Sequence, residues 1–487
     1  MVFTDEEQPL LRIISHDLVD GIRNDDPALD FEPLDPENPK NWTPRFKWSI
    51  VFLLALTAFT VTFTCIGVVP VANRIVEDLD GRHASSSSTA LLVTIWELGE
   101  AAGPLLIAPL SEVFGRYPVM NVCNIGFILA TILAVTSQNS SIFIAARMLT
   151  GFCVASNVLN PAIIGDMFES EQRGSAMSLI MLAPLIGGAV GPAFSGIIAQ
   201  TLGWRQILVV AAALATVCEI LFLVCFRETY RMAILRHRNL VSQQNASQSR
   251  KIEGNHQDAL KIWSAITRPF SVLVGSGVLL LLSLYAAVSF SYYYVISISL
   301  PSILQDIYGF SAAQTGSAFM SFSVGSFCSV AVCNYFLDRI YIKLRDPLED
   351  RACPEYRLPL SIIGAILLPL SVIAYGWIVQ AHLPVALLLF SVALLGFSLL
   401  LTAIPLSAYV VDACGIYSAS AMTGIIVTRC LAGTFFPLTI GPLAQKLGYG
   451  WGFSCLGAVS ISLALVPMLV LKYGQAWRQR SEFTRDD

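Results

Sequence analysis

Twelve separate stretches of this chain hold about twenty predominantly apolar residues each, and each is long enough to cross the hydrocarbon core of a bilayer as one α-helix. Six lie near 47–70, 88–110, 118–137, 142–165, 176–200 and 206–226, and six more near 270–297, 313–337, 358–379, 383–411, 418–440 and 453–473. Lipid offers no partner to a backbone N–H or C=O, so a run of this length must satisfy its own hydrogen bonds and forms a helix. The expected fold is an all-α membrane protein. Only 13% of the residues are charged, against roughly 25% in soluble domains, and no polar block is long enough to build a separate soluble core.

The spans fall into two sets of six. Residues 1–46 form a polar N-terminal tail, 47–226 a first bundle, 227–269 a polar linker, 270–473 a second bundle and 474–487 a C-terminal tail. The linker includes "SQQNASQSRKIEGNHQD", which has too few large apolar residues to fold alone. No apolar segment precedes the first span, so a cleaved leader is not expected. Assigning alternate loops to opposite faces puts 24 of the 30 Lys and Arg residues on one side and four (Arg74, Arg82, Arg205, Lys446) on the other, with Arg147 and Arg429 inside spans. The positive-inside rule then places both termini in the cytoplasm.

The same sequence disfavours other classes. A net charge of -4 gives no reason to expect nucleic acid, and the eleven cysteines, mostly within apolar runs, lack the spacing of a metal site or a disulfide framework. No cofactor or metal is expected. Phosphate-binding and nucleophile motifs are absent and the five histidines (His16, His83, His237, His256, His382) lie outside the spans, so the reading is a carrier and not an enzyme.

The halves echo one another. "PAIIGDMF" ending the fourth span and "PLSAYVVDAC" ending the tenth each carry an Asp (Asp166, Asp412), while "LSEVFGR" after the second span answers "LDRIYIK" after the eighth. Six helices repeated is a common plan of secondary transporters, with the substrate site between the repeats at mid-membrane.

Against that apolar background, four charges stand out. An ionised side chain at the centre of a lone helix costs about 2.5–3.5 kcal/mol, so such residues face a bundle interior or water. Glu97 and Glu100 are three residues apart and share a helix face. A carboxyl taken out of water beside another carboxyl holds its proton more readily than one in solution, which suits a group that alternates between neutral and charged. The other reading is a static pair with Arg147 or the cap of a polar cavity. Arg147 needs an acidic or carbonyl partner, and Glu97 or Glu100 is the expected one; Arg429 could hold an anionic part of a substrate or lock the second half. Tyr285, Phe290, Tyr292, Tyr293 and Tyr294 crowd the seventh span. Tyr285 and Phe290 are candidates to line a substrate cavity, and the three consecutive tyrosines read better as an interfacial belt. In the fifth span Gly187, Gly188, Gly191 and Gly196 make a face open to close helix approach, and Pro192 favours a kink.

Several motifs carry a resemblance. "NPKNWTPRFKW" (38–48), "GPLLIAPLSEVFGR" (103–116), "RMLTGF" (147–152), "PLIGGAVGPAFSG" (184–196), "GWR" (203–205), "RPF" (268–270) and "RCLAGTFFPL" (429–438) together resemble the major facilitator superfamily, in its fungal twelve-span drug:proton antiporter branch. The sequence departs from that pattern at Glu112-Val113 and at Arg227. The resemblance implies two pseudo-symmetric six-helix bundles. It implies a loop motif at Gly103, Glu112, Gly115 and Arg116, echoed at Asp338 and Arg339, a sealing role for the glycines with Pro192, and a part in proton transfer for Arg147.

The function this implies is proton-coupled export of small amphiphilic compounds such as drugs or secondary metabolites, by a monomer in the plasma or vacuolar membrane whose partners are substrate, protons and lipid. A carrier for an organic acid or a polyamine, and a membrane sensor that does not transport, remain as alternatives.

Overall fold

The computed structural model describes residues 35–81, 86–169, 172–243, 266–344 and 353–484. In the first half α1 (Pro44–Gly67) is followed by the short α2 (Ala72–Asp80), α3 (Ser86–Phe114), α4 (Arg116–Val135), α5 (Ser140–Phe152), α6 (Ser156–Met167), α7 (Arg173–Thr201) and α8 (Trp204–Cys225). After α9 (Arg231–Gln243) and a helical segment at 266–275, the second half holds α10 (Gly277–Ser302), α11 (Ala312–Ala318), α12 (Met320–Leu344), α13 (Pro359–Gln380), α14 (Val385–Cys414), α15 (Ser418–Phe435) and α16 (Ile440–Arg478).

Eleven stretches are long and apolar enough to cross a membrane, and the last, Ser418–Arg478, runs for 61 residues. As one straight helix it would be roughly 90 Å long, about three times the ~30 Å hydrocarbon core. It breaks at Gly448, where φ is 75° and ψ is 170°, and its length is enough for two passages, which is consistent with a total of twelve. Left-handed glycines also turn the chain between passages, at Gly115 (φ 100°) before α4 and Gly203 (φ 92°) before α8. The Asn139 side chain caps α5, accepting from the Ile142 N–H at 2.8 Å.

One local expectation is corrected. The fourth span is not one helix but two, α5 and α6, separated by a turn over 153–155. The start of the linker is helical, and α9 docks on the first half: Leu235 is buried, Arg236 donates to the Val113 carbonyl (3.0 Å) and Arg238 pairs with Asp35 (2.7 Å). Neighbours supply the contacts that the segment could not make alone. Residues 1–34 and most of the polar stretch beyond α9 lie outside the described residues.

Within the halves α1 packs on α7 and α3 on α5, as α13 packs on α16 and α12 on α14. Between them α3 meets α15, and α7 meets α11 and α12. At the end of the bundle bearing Arg116, Arg173, Arg357 and Arg478, each half has its own apolar core, one around Leu54, Ile163 and Phe222 and the other around Leu282, Tyr409 and Val470. Toward the opposite end one core is continuous across both, joining Val68, Leu92 and Trp204 to Tyr292, Leu300 and Phe453. The halves are thus fused at one end and separately packed at the basic end. Large apolar side chains such as Phe52, Val122, Val224, Val274 and Phe390 face outward, as lipid contact requires.

Candidate functional site

Close backbone approach fixes where α3 lies. A methyl group added at Gly99 would fall on the α5 backbone, one at Gly103 would meet the Phe152 carbonyl, and one at Gly151 would overlap the Trp96 carbonyl. With α3 held against α5 in this way, Glu97 and Glu100 are fully buried (0% and 2% exposed) and meet the second half. Gly103 belongs to this helix contact and not to the loop.

Each carboxylate takes a partner from across the boundary between halves. Tyr294 of α10 donates its hydroxyl to Glu97 Oε1 at 2.5 Å. Arg429 of α15 places Nη2 3.7 Å from Glu100 Oε1, an ion pair too long to be a hydrogen bond. Asn157, at the start of α6, donates to the same Glu100 oxygen at 2.5 Å. Among the described residues the remaining oxygens, Glu97 Oε2 and Glu100 Oε2, are buried with no hydrogen-bond partner, and Gly433 leaves room for the first of them. The Arg429 guanidinium lies 4.2 Å from the Phe290 ring centroid. Its side chain is 29% accessible and Asn157 is exposed, so the site opens to a space between the halves. Thr94 closes the far side, donating to the Thr434 carbonyl at 3.0 Å.

Arg147 corrects an expectation: Glu97 and Glu100 are not its hydrogen-bond partners. It donates to three backbone carbonyls, Cys65 (2.6 Å), Thr64 (3.3 Å) and Leu92 (3.4 Å), tying α5 to α1 and α3. Of the two partner types its burial demanded, the structure takes carbonyls, because the end of α1 presents two of them within reach. The tyrosines are a second correction. Tyr292 and Tyr294 are inside the protein and not at a lipid interface, and Tyr292 donates to the Leu456 carbonyl at 2.6 Å. Tyr285 is packed in the core of the second half with its hydroxyl 3.4 Å from Thr402 Oγ1, whereas Phe290 is at the site.

The glycine face of α7 bears on two partners. Gly187, Gly188 and Gly191 lie against Phe59, Thr62, Phe63 and Ile66 of α1, while Gly196 meets the backbone of Ala312 in the second half and the Pro192 carbonyl lies over Gly316. Of the loop motif, Gly115 makes the turn and Arg116 contacts Ser111, Asp166 (3.5 Å) and the Tyr230 ring, whereas Glu112 is exposed. Asp338 pairs with Arg357 (2.6 Å), which also holds Asp412 (2.9 Å), and Arg339 stacks on Tyr335.

Sequence reasoning passes over Asn157, Glu228 and Arg357 and takes Cys430 as a small apolar filler; it counts no acid but Glu97 and Glu100 deep in the first six spans, and the structure corrects this by burying Glu219 in α8. Glu228 accepts from the Arg116 and Tyr117 N–H groups at 2.9 and 3.0 Å, capping α4. The signal for Glu219 was available, since it interrupts an apolar run as plainly as Glu97 does. Cys430 comes within 4.8 Å of both central carboxylates, a set of metal-ligating types, but the guanidinium beside it already supplies a positive charge.

Two bundles joined face to face around buried charges define a secondary-transporter architecture. The chain belongs to the Major Facilitator Superfamily, whose family model matches residues 50–437. It is 33% identical to "Efflux pump radE" of Floropilus chiversii over 93% of this chain and 84% of that protein, and 32% identical to "MFS transporter cpaT" of Aspergillus oryzae over 93% and 91%. It is also 33% identical to "MFS-type transporter penM" of Penicillium rubens over 96% and 93%. Among solved structures, the xylose transporter XylE from E. coli in a partially occluded inward-open conformation aligns with a TM-score of 0.65 and 15% identity over 88% of this chain and 98% of that one, a likeness of fold.

Proposed function

We propose that this chain is a proton-coupled antiporter that exports small amphiphilic compounds, with Glu97 and Glu100 as its proton-binding groups. The observation that carries the reading is that both carboxylates sit in the first half and meet a partner in the second, the Tyr294 hydroxyl as a donor or Arg429 as a counter-charge. A proton on Glu100 removes its attraction for Arg429, and a proton on Glu97 changes what Tyr294 can bond. The charge state of the site therefore sets how firmly the halves hold together at mid-membrane, which is the link an alternating carrier needs between a proton and a conformation. A substrate entering the space beside Asn157, Phe290 and Arg429 meets the same groups. Tyr285, deep in its own core, is left out of the cavity. Arg147 is proposed to hold α1, α3 and α5 in register, and the α7 glycines with Pro192 to seal the fused end.

The basic end is proposed to face the cytoplasm, with both termini there, the chain acting as a monomer in the plasma membrane. Tags at either terminus should stay inaccessible in intact cells. The central test is uptake of a rhodamine dye into proteoliposomes holding the full chain under an imposed pH gradient. Uphill movement that collapses with the gradient supports the reading, and gradient-independent equilibration would overturn it. A second reading, a carrier for an organic acid, is favoured by the accessible Arg429 and its Nε, which has no hydrogen-bond partner; it predicts that small carboxylates compete with the dye and that R429Q abolishes the competition.

A further inference from the structure

Glu219 has no place in that mechanism, yet it is the most costly kind of residue to leave inside a bundle. It is 4% exposed, and its Oε2 accepts from Asn124 Nδ2 at 2.7 Å. Among the described residues its buried Oε1 has no partner and no ion pair compensates it. The Asn124 that holds it lines a cavity of about 20 Å³ between α1, α4, α8 and the 153–156 turn, together with Thr57, Thr60, Ser156, Cys153 and Cys218 among others. That is room for one water, which needs about 10–15 Å³ and two to four polar partners.

Thr57 and Thr60 direct their hydroxyls at the Leu53 and Leu56 carbonyls (2.9 and 2.8 Å), and Thr60 Oγ1 lies 3.4 Å from Cys218 Sγ. Ser156 Oγ is 3% exposed and has no partner among the described residues, so its hydroxyl is free to bond a water in the cavity. For Glu219 itself, an ionised carboxylate held by one amide and no cation is uncompensated inside the bundle, whereas a neutral carboxyl needs no counter-charge. The titratable groups lining the cavity are the thiols of Cys153 and Cys218. The charged residues of the packed helices lie elsewhere: Arg45 and Lys47 near the start of α1, Arg116 at that of α4, Arg205 at that of α8 on the Ser137 carbonyl and Trp204 ring, Asp166 near the end of α6, Arg147 on its three carbonyls, and Arg173 on the Phe168 and Gly165 carbonyls.

We propose that Glu219, with Asn124, Ser156 and one water in this cavity, is a second proton-binding site, remote from the substrate and linked to the central one through the start of α6. Ser156 lines the cavity, and the next residue, Asn157, donates to Glu100. A change of protonation at Glu219 that moves this turn alters a hydrogen bond to the central carboxylate.

Infrared difference spectroscopy on the purified full chain tests the site without relying on the antiport reading. At neutral pH the neutral-carboxyl C=O signal should contain a component that the E97Q/E100Q double variant keeps and E219Q loses. S156A should shift the frequency of that component while leaving it present. A signal unchanged in E219Q, or loss there of an ionised-carboxylate band instead, overturns the proton site, and so does displacement of the component by sodium at constant pH, which would make the cavity a cation site. In proteoliposomes, E219Q should still transport, with its half-maximal pH moved by about one unit, a tenfold change in proton affinity. A pH profile superimposable on the parent protein's would refute the link to Glu100. Failure of the double variant to pump uphill bears only on the central site.

Discussion

The two halves share a fold but divide the chemistry unequally. The first places Glu97, Glu100, Glu219 and Arg147 in its buried interior, whereas the second buries Tyr285, Tyr292, Tyr294, Tyr375 and Tyr409, keeps its buried Glu355–Arg478 pair at the basic end and brings Arg429 to the centre. The two arginines show what the asymmetry means. Arg147 is wrapped in carbonyls of its own half, so its charge is balanced by fixed backbone dipoles and does not change with protonation. Arg429 faces a carboxylate of the other half at 3.7 Å, a partner that a proton can switch off. The carboxyls proposed to take up protons lie in the first half, and Tyr294 and Arg429 of the second bear on the central two.

Breaking this comparison most severely should be R147M. Three charge-assisted hydrogen bonds disappear and the Thr64 and Cys65 carbonyls in the last turn of α1 lose their donor in a dry core; at about 1.5–3 kcal/mol per bond to a charged group, folded yield should be lost. E100Q should not rescue it, because Glu100 is not its partner. R429M should also lower yield, by leaving Glu100 ionised with Asn157 as its one hydrogen-bonded neighbour, but R429M/E100Q should recover it. Yields by size-exclusion fluorescence for the four variants decide the matter, and rescue of R147M by E100Q would mean that the arginines have been assigned to the wrong partners.

Next in size is a functional effect with the fold intact. E97Q/E100Q keeps shape and much of the hydrogen bonding but fixes both groups in the neutral form, so gradient-driven uptake in vesicles should fail while substrate binding and downhill exchange persist. A well-folded double variant that still concentrates the dye against its gradient would sink the coupling role of the pair.

The sequence made the passages and the two sets of six legible because length and apolarity are local properties that lipid enforces on every span. Charges inside spans were legible as unusual for the same reason. Their partners were not: whether Arg147 finds Glu97 or the carbonyls of Thr64 and Cys65 depends on how α1 ends beside α5, and no spacing in the sequence encodes that. Tyr292 and Tyr294 misled because three adjacent tyrosines look alike in a row, while on a helix they point in different directions, one to the Leu456 carbonyl and another to Glu97. The break at 153–155, which presents Ser156 and Asn157 to two different sites, left no proline or glycine pair to mark it.

A smaller effect sharpens the contrast between the fused and the separately packed ends. Gly196 and Gly316 let the halves touch backbone to backbone at the fused end. G196V or G316V should overpack that seam at about 1–3 kcal/mol, cutting transport roughly tenfold with little loss of folded protein. G277A, at a position where a methyl group meets nothing within 4 Å, is the matched control. Equal effects at all three positions would argue that helix propensity and not contact between the halves is being measured.

The smallest expected effect lies at the basic end, outside the spans, where Asp35 fastens the segment before α1 to α9. The Glu37 backbone N–H and the Arg238 guanidinium hold the Asp35 carboxyl below the usual carboxylate value. A lowered native value means that its contribution is fully present above the unfolded value and fades as the pH falls through the native one. Between about pH 5 and 8, therefore, the midpoint of thermal unfolding should show no step from this pair, and any loss should begin only below the ordinary range for aspartate, near 3.9. D35N should lower the midpoint slightly and flatten that acid limb, because the asparagine can still accept from the Glu37 N–H but no longer attracts Arg238. Scanning fluorimetry of both proteins across this range makes the comparison. A D35N loss as large as that of R147M would show that the segment fastened to α9 bears on the integrity of the first half as heavily as its buried arginine does.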